Sequence, residues 1–177
     1  LGTEHIIVKG QLNNAATVGE KVFVVATQNG TQVTVNGSLA ATINAGQAHT
    51  VTVNAATATI NSNFPVYVLH MSGFGCEVGG SVIPPLACSG STQVGVARSS
   101  SEGFFLNILV PAGNQGNFLL NGAPGLINAA DFAVVPNTGG AWMYAVKSFN
   151  TTQIPVNSTA LVSNTTSTFQ MGLIHGG

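Results

Sequence analysis

The chain has 177 residues, a formal charge of −1 and only 5% charged residues, while Asn, Thr, Ser and Gln fill 56 positions. That charge balance gives no electrostatic footprint for nucleic acid or an anionic membrane surface, and a 45% apolar content excludes intrinsic disorder. No apolar run approaches the ~20 residues of a spanning helix, so membrane insertion is not expected.

Alternation with period two, β-branched residues and turn dipeptides recur from end to end, and helical stripes are scarce. In chain order the pattern predicts strands at 5–9, 22–27, 32–35, 48–53, 58–60, 65–71, 93–97, 104–110, 116–120, 132–135, 142–148, 159–163 and 169–174. About a dozen short strands predict an all-β protein of antiparallel, sandwich-like modules with little or no helix. Asn29-Gly30 reads as a type I′ hairpin turn, the geometry in which both central residues take positive φ, and Asn36-Gly37 and Asn121-Gly122 repeat it.

Those last two turns expose a duplication. Thr34-Val35-Asn36-Gly37 followed by Ile43-Asn44-Ala45 aligns with Leu119-Leu120-Asn121-Gly122 followed by Ile127-Asn128-Ala129, at offsets of 85 and 84 residues. Continuing the alignment sets Pro65-Val66-Tyr67-Val68 against Trp142-Met143-Tyr144-Ala145-Val146. The chain reads as one all-β domain, 1–177, made of two similar halves, about 1–90 and 91–177. It lacks a leading Met and an apolar signal segment, and it ends on Gly176-Gly177. It therefore reads as a piece excised from a larger multidomain protein.

Cys76 and Cys88 bracket a short segment holding Gly79-Gly80 and Pro84-Pro85. They read either as a disulfide pinning a long loop or as two thiols in a reducing compartment, and the charge-poor, Thr/Asn-rich β sequence favours the disulfide and an extracellular setting. The surrounding segment 73–102 gathers glycines, prolines and charged residues. It reads either as a stapled connection between the two halves or as the first candidate recognition loop, with Gly73, Phe74, Glu77, Arg98 and Glu102 as its contact residues. A second candidate is aromatic: Trp142 and Tyr144 share one face of their strand and could stack on a sugar ring, although a lone Trp in a small β domain more often sits in the core.

The order of phrases along the chain carries a resemblance. Val24-Val25-Ala26-Thr27-Gln28-Asn29-Gly30-Thr31, Ile43-Asn44-Ala45-Gly46-Gln47 and Asn63-Phe64-Pro65-Val66-Tyr67-Val68 stand in the first half. Leu106-Asn107-Ile108-Leu109-Val110-Pro111, Phe118-Leu119-Leu120-Asn121-Gly122 and Phe169-Gln170-Met171-Gly172-Leu173-Ile174-His175-Gly176-Gly177 follow in the second. Together they resemble the IgGFc-binding protein N-terminal domain family. The wording is nearest to bacterial members in large secreted surface proteins, including gliding-motility-associated adhesins exported by type IX secretion. The resemblance implies an extracellular, cell-surface β module for adhesion or binding, and it supplies no catalytic residue.

The residues offer little for catalysis. Glu4, Glu20, Glu77, Glu102 and Asp131 form no recognisable acid/base pair, and His5, His49, His70 and His175 show no ligand spacing. His70 shares a strand face with Val66 and Val68, which predicts a hydrogen-bonded, half-buried side chain. Glycine spacing at 73–80 is wrong for a phosphate loop, and Pro84-Pro85 stands where its helix would run. No metal site and no cofactor are expected; calcium, which seeks oxygen ligands, could still use carbonyls with Glu77, Glu102 or Asp131. The expected role is a non-enzymatic adhesion or interaction module whose partner is a protein or glycan surface ligand, or neighbouring domains and copies. The alternatives are a structural spacer or self-assembling filament subunit and, disfavoured by the scarce carboxylates, a glycan-acting enzyme.

Overall fold

A computed structural model describes residues 1–12, 19–74 and 77–176. It is all-β and antiparallel, and the one helical element among the described residues is a 3-10 turn at Ala129–Asp131. The chain divides into two compact units, Leu1–Ser89 with Pro136–Gly139, and Gly90–Val135 with Gly140–Gly177.

The first unit holds β1 (Gly2–Val8), β2 (Glu20–Ala26), β3 (Thr31–Val35), β4 (Ser38–Ile43), β5 (Ala48–Val53), β6 (Thr57–Phe74) and β7 (Glu77–Val82). Everything is organised by β6. The two strands predicted at 58–60 and 65–71 are one 18-residue strand whose first part pairs with β1 and β3 and whose second part pairs with β2 and β7. Inward residues of both parts, Ile60, Val66 and Val68, meet Ile7, Val22, Val24 and Val33 in one aliphatic core. β-branched side chains suit this arrangement, since their stiff rotamers pack well on a pleated surface.

Asn29-Gly30 does not make the expected hairpin. Only Gly30 takes positive φ, at 70°, and β2 and β3 both lie against β6 instead of each other. Asn29 turns its Oδ1 to the Ala45 N–H at 3.1 Å. Asn36 (φ 50°) and Gly37 (φ 84°) do form the two-residue left-handed turn, and it launches β4, a strand the weak alternation of Ser-Leu-Ala-Ala-Thr-Ile had hidden.

In the second unit β8 (Gln93–Arg98), β13 (Ser158–Asn164) and β10 (Phe118–Leu120) form a three-stranded sheet. The other sheet runs in the order β11 (Ala133–Val134), β12 (Trp142–Ser148), β9 (Gly103–Pro111) and β14 (Gln170–Gly176). Its core is aromatic. Phe118 stacks on Phe132 with centroids 5.4 Å apart and meets Phe169 edge-on at 5.1 Å, with Phe104, Ile108 and Val162 completing the packing.

Pairing reveals which strands of the two units correspond. β1 on the front of β6 matches β8 on β13; β3 matches β10; β2, flanked by β5 and the back of β6, matches β9, flanked by β12 and β14. The strand bearing Tyr67 therefore corresponds to β14 and the strand bearing Trp142 to β5. This corrects the alignment of Tyr67 with Tyr144, which rested on local wording without partners.

Candidate binding surfaces

Segment 73–102 is not a single loop, because it contains both β7 and β8. Gly73 and Phe74 end β6 opposite Val78 and Glu77. A Cβ on Gly73 would stand 1.9 Å from the Glu77 carbonyl oxygen, so only glycine permits this close return of the chain. Glu77 opens β7 and is exposed, as is every residue of that strand. Beyond it, Ile83 N–H donates to Val68 O at 2.8 Å and Leu86 N–H to Glu4 O at 2.8 Å, laying the two prolines along the edge of β6 and β1. Cys88 is exposed with φ 59°, while its expected partner Cys76 lies outside the described residues.

Arg98 is turned inward and is 3% exposed. Its guanidinium donates to the carbonyls of Ser100 (3.0 Å), Ser101 (3.2 Å), Glu102 (2.6 Å) and Phe149 (2.8 Å), and it lies 5.3 Å from the Phe104 ring centroid. Three separate nitrogens of the planar fork serve these acceptors, a spread that the single ammonium nitrogen of a lysine cannot span. Arg98 therefore shapes the 99–102 turn from within instead of contacting a ligand, and Glu102 supplies a backbone acceptor while its side chain stays outside.

His175 clamps the same turn from β14. Its Nδ1 faces Gly103 O at 3.0 Å, and its Nε2 accepts from the N–H groups of Ser99 (3.2 Å) and Ser100 (3.3 Å), with the Ser99 hydroxyl also at 3.2 Å. A hydroxyl beside an oriented imidazole has the order of parts of a nucleophile and base. Here two peptide N–H groups already converge on the lone pair, which makes the ring a turn-binding acceptor.

The first unit has a comparable internal device that sequence reading missed. Glu20 is fully buried; its Oε2 accepts from His70 Nε2 and Gly10 N–H, both at 2.7 Å, and its Oε1 from Ser72 Oγ at 3.0 Å and Leu12 N–H at 3.3 Å. Burial pushes the Glu20 carboxyl up, but these donors and the His70 charge outweigh it and hold the group below its ordinary value. His70 does share the inward face with Val66 and Val68, and it is buried more deeply than the alternation implied. His5 is also buried, its Nδ1 without a hydrogen-bond partner; desolvation, assisted by the amino-terminal charge, lowers it to about 4.

Trp142 and Tyr144 stand outside the aromatic core. Phe104, Leu106, Ile108 and Val110 of β9 and Ala145 of β12 point inward, so the alternate residues Trp142 and Tyr144 lie on the outward face, each partly exposed. The register sets Trp142 beside Pro111 and Tyr144 between Ala133 and Leu109, with Gln170 next along the row; Leu109 is only 3% exposed, so this face is itself partly covered. Below them Asp131 receives Lys147 Nζ at 2.7 Å and the Asn128 N–H at 2.7 Å. Partial burial would raise Asp131, yet these two donors keep it below its ordinary value.

Most ionisable groups described above are thus committed to structural bonds, and the aromatic strip is uncharged. Among the described residues no three His, Cys, Asp or Glu side chains gather as a metal-holding group, and no helix is long and apolar enough to cross a membrane. No curated protein and no solved structure matches the chain. The family model described as IgGFc binding protein matches residues 1–174, nearly the whole length. The chain belongs to the IgGFc binding protein family.

Proposed function

We infer that the chain is a non-enzymatic adhesion or interaction module of a large secreted bacterial cell-surface protein, of the kind exported by type IX secretion in gliding bacteria. Membership of a binding family supports a binding role, and an extracellular setting accords with that family. The observation that carries the reading is the outward, half-buried position of Trp142, beside Pro111, and of Tyr144, beside Leu109. Flat aromatic rings on a sheet face offer contact area at little entropic cost to either a protein or a glycan. A bridge between Cys76 and Cys88 is a further part of this reading, and no cofactor is.

The test is a binding screen of the immobilised chain against glycans, mucins and immunoglobulin, with and without calcium and with and without reductant. Saturable binding that weakens at least tenfold in Trp142→Ala and Tyr144→Ala, with unchanged folding, is the expected result. Binding indifferent to both substitutions would remove the aromatic strip from the mechanism. Silence across a folded sample would favour the second reading, a structural spacer or self-assembling subunit, which draws on the exposed edge of β7.

A further inference from the structure

We propose that β7 is a self-pairing edge through which two copies of this chain join into one continuous antiparallel sheet. The inference is independent of any surface ligand.

Edges of β-sheets are normally protected by bulges, shortness, lysine or proline. β4 and β1 each carry a register shift, β11 has two residues and β10 three; β5, β8 and β14 are unshifted edges as well, but each keeps buried or half-buried residues along its length. β7 has six residues, pairs with β6 without a shift, contains no Lys or Pro, and is exposed on both faces, with Val78 at 59% and Val82 at 63%.

The hydrogen-bond phase of this edge is fixed by the chain itself. Ile83 N–H donates to Val68 O, its direct register partner, so alternate residues back along β7, namely Ser81, Gly79 and Glu77, bond to β6. Val78, Gly80 and Val82 consequently aim their N–H and C=O groups at the open edge. They also share one face, the outward side that carries Leu69 and Met71 of β6 and Phe23 of β2.

An antiparallel pair of identical strands is related by a two-fold axis normal to the sheet, and directly opposed residues share a face. Centring that axis on Gly80 sets Gly80 against its own copy and Val78 against Val82 of the other chain. All three outward-bonding residues of both copies then exchange hydrogen bonds. Valine meets valine on the apolar face, and the glycines leave the centre free of side-chain obstruction. Centring on Gly79 or Ser81 instead leaves one of the three without its counterpart in β7. Each Glu77 falls opposite Ile83, roughly 20 Å along the strand from the other Glu77. A net charge of −1 puts almost no repulsion between copies. The two-fold closes the assembly at a dimer.

The experiment is sedimentation velocity on the 177-residue chain in reductant, from micromolar to millimolar concentration. A reversible species of twice the 17.9 kDa chain mass is expected, weakened at least tenfold in Val78→Lys with unchanged circular dichroism and melting. Register is tested by oxidative cross-linking in a Cys76→Ser, Cys88→Ser background. A mixture of Val78→Cys and Val82→Cys chains should cross-link. Val78→Cys alone should not, since those two positions lie about 13 Å apart along the paired strands, beyond disulfide reach. Should the background fail to fold, the sedimentation comparison with Val78→Lys decides. A monomer throughout, a dimer unmoved by Val78→Lys, growth beyond dimer, or equal cross-linking of Val78→Cys alone would overturn the proposal.

Discussion

Both units hang an asparagine turn on the strand that follows it in the sheet, yet they fill the space behind that turn differently. In the first, Asn36 N–H donates to Thr59 O at 3.0 Å and Thr59 N–H returns to Asn36 Oδ1 at 2.9 Å. In the second, Asn121 and Leu161 make the same exchange at 2.8 Å each way. Behind these matched clamps one unit packs Val and Ile and joins its layers through the unbroken β6, while the other packs phenylalanines between two separate sheets. The lesson is that two units can share turn chemistry and strand pairing while differing in core composition and strand continuity.

The largest effect is expected at the aromatic core. Phe118→Ala removes a ring that touches two others and should cost about 3–5 kcal/mol, read as lost denaturant stability with hydrogen-exchange protection falling first in the second unit. Equal loss of protection in the first unit would erase the energetic contrast between them.

Acid should separate the units next. His5 is held near 4 in the folded chain against 6.5 unfolded, so the unfolded state binds more protons between those values. Stability is therefore full above pH 6.5 and falls toward pH 4, by about 3 kcal/mol at most. Glu20, held below 4.5, adds stability that is present above that value and disappears as pH drops through its folded pKa. Melting of wild type and His5→Leu across this range should show a flatter profile for the variant. Identical slopes would show that His5 is not the source.

Arg98→Met should lower stability by about 2 kcal/mol, because several carbonyls lose their donor, and Arg98→Lys should recover little of it. Chemical denaturation of the three proteins measures this; full recovery by lysine would make charge, and not the fork, the cause. The smallest effect tests the likeness of the units most directly. Asn36→Ala and Asn121→Ala should each cost about 1 kcal/mol through one lost side-chain bond and a less favourable left-handed residue. Unequal losses would mean the two clamps no longer do the same job.

Much of the fold was legible because alternation is a local signal. Strands 48–53 and 142–148 have the predicted bounds, and the Asn36 and Asn121 turns behave as their dipeptides require. What escaped was decided by partners far away. β7 is exposed along its whole length and exists through its pairing with β6; Asn29-Gly30 has hairpin wording, but β6 separates the strands it joins. The candidate residues divide in the same way. Strand parity placed Trp142 and Tyr144 on one face, but which face is outward depends on the opposing sheet. Arg98 was read as a surface contact, since a charged residue beside a serine run looks solvated until carbonyls some fifty positions onward close over it. Glu20 and His70 are likewise 50 residues apart, and no short motif could announce their contact.

Arg98 has one more consequence. Its compensation comes entirely from peptide oxygens and an aromatic face among the described contacts, and none of these groups titrates. A counterion therefore has no ionic bond of Arg98 to compete for. The joint between β8, the 99–102 turn and the 149 carbonyl is thus built to keep one geometry in brine and in fresh water alike.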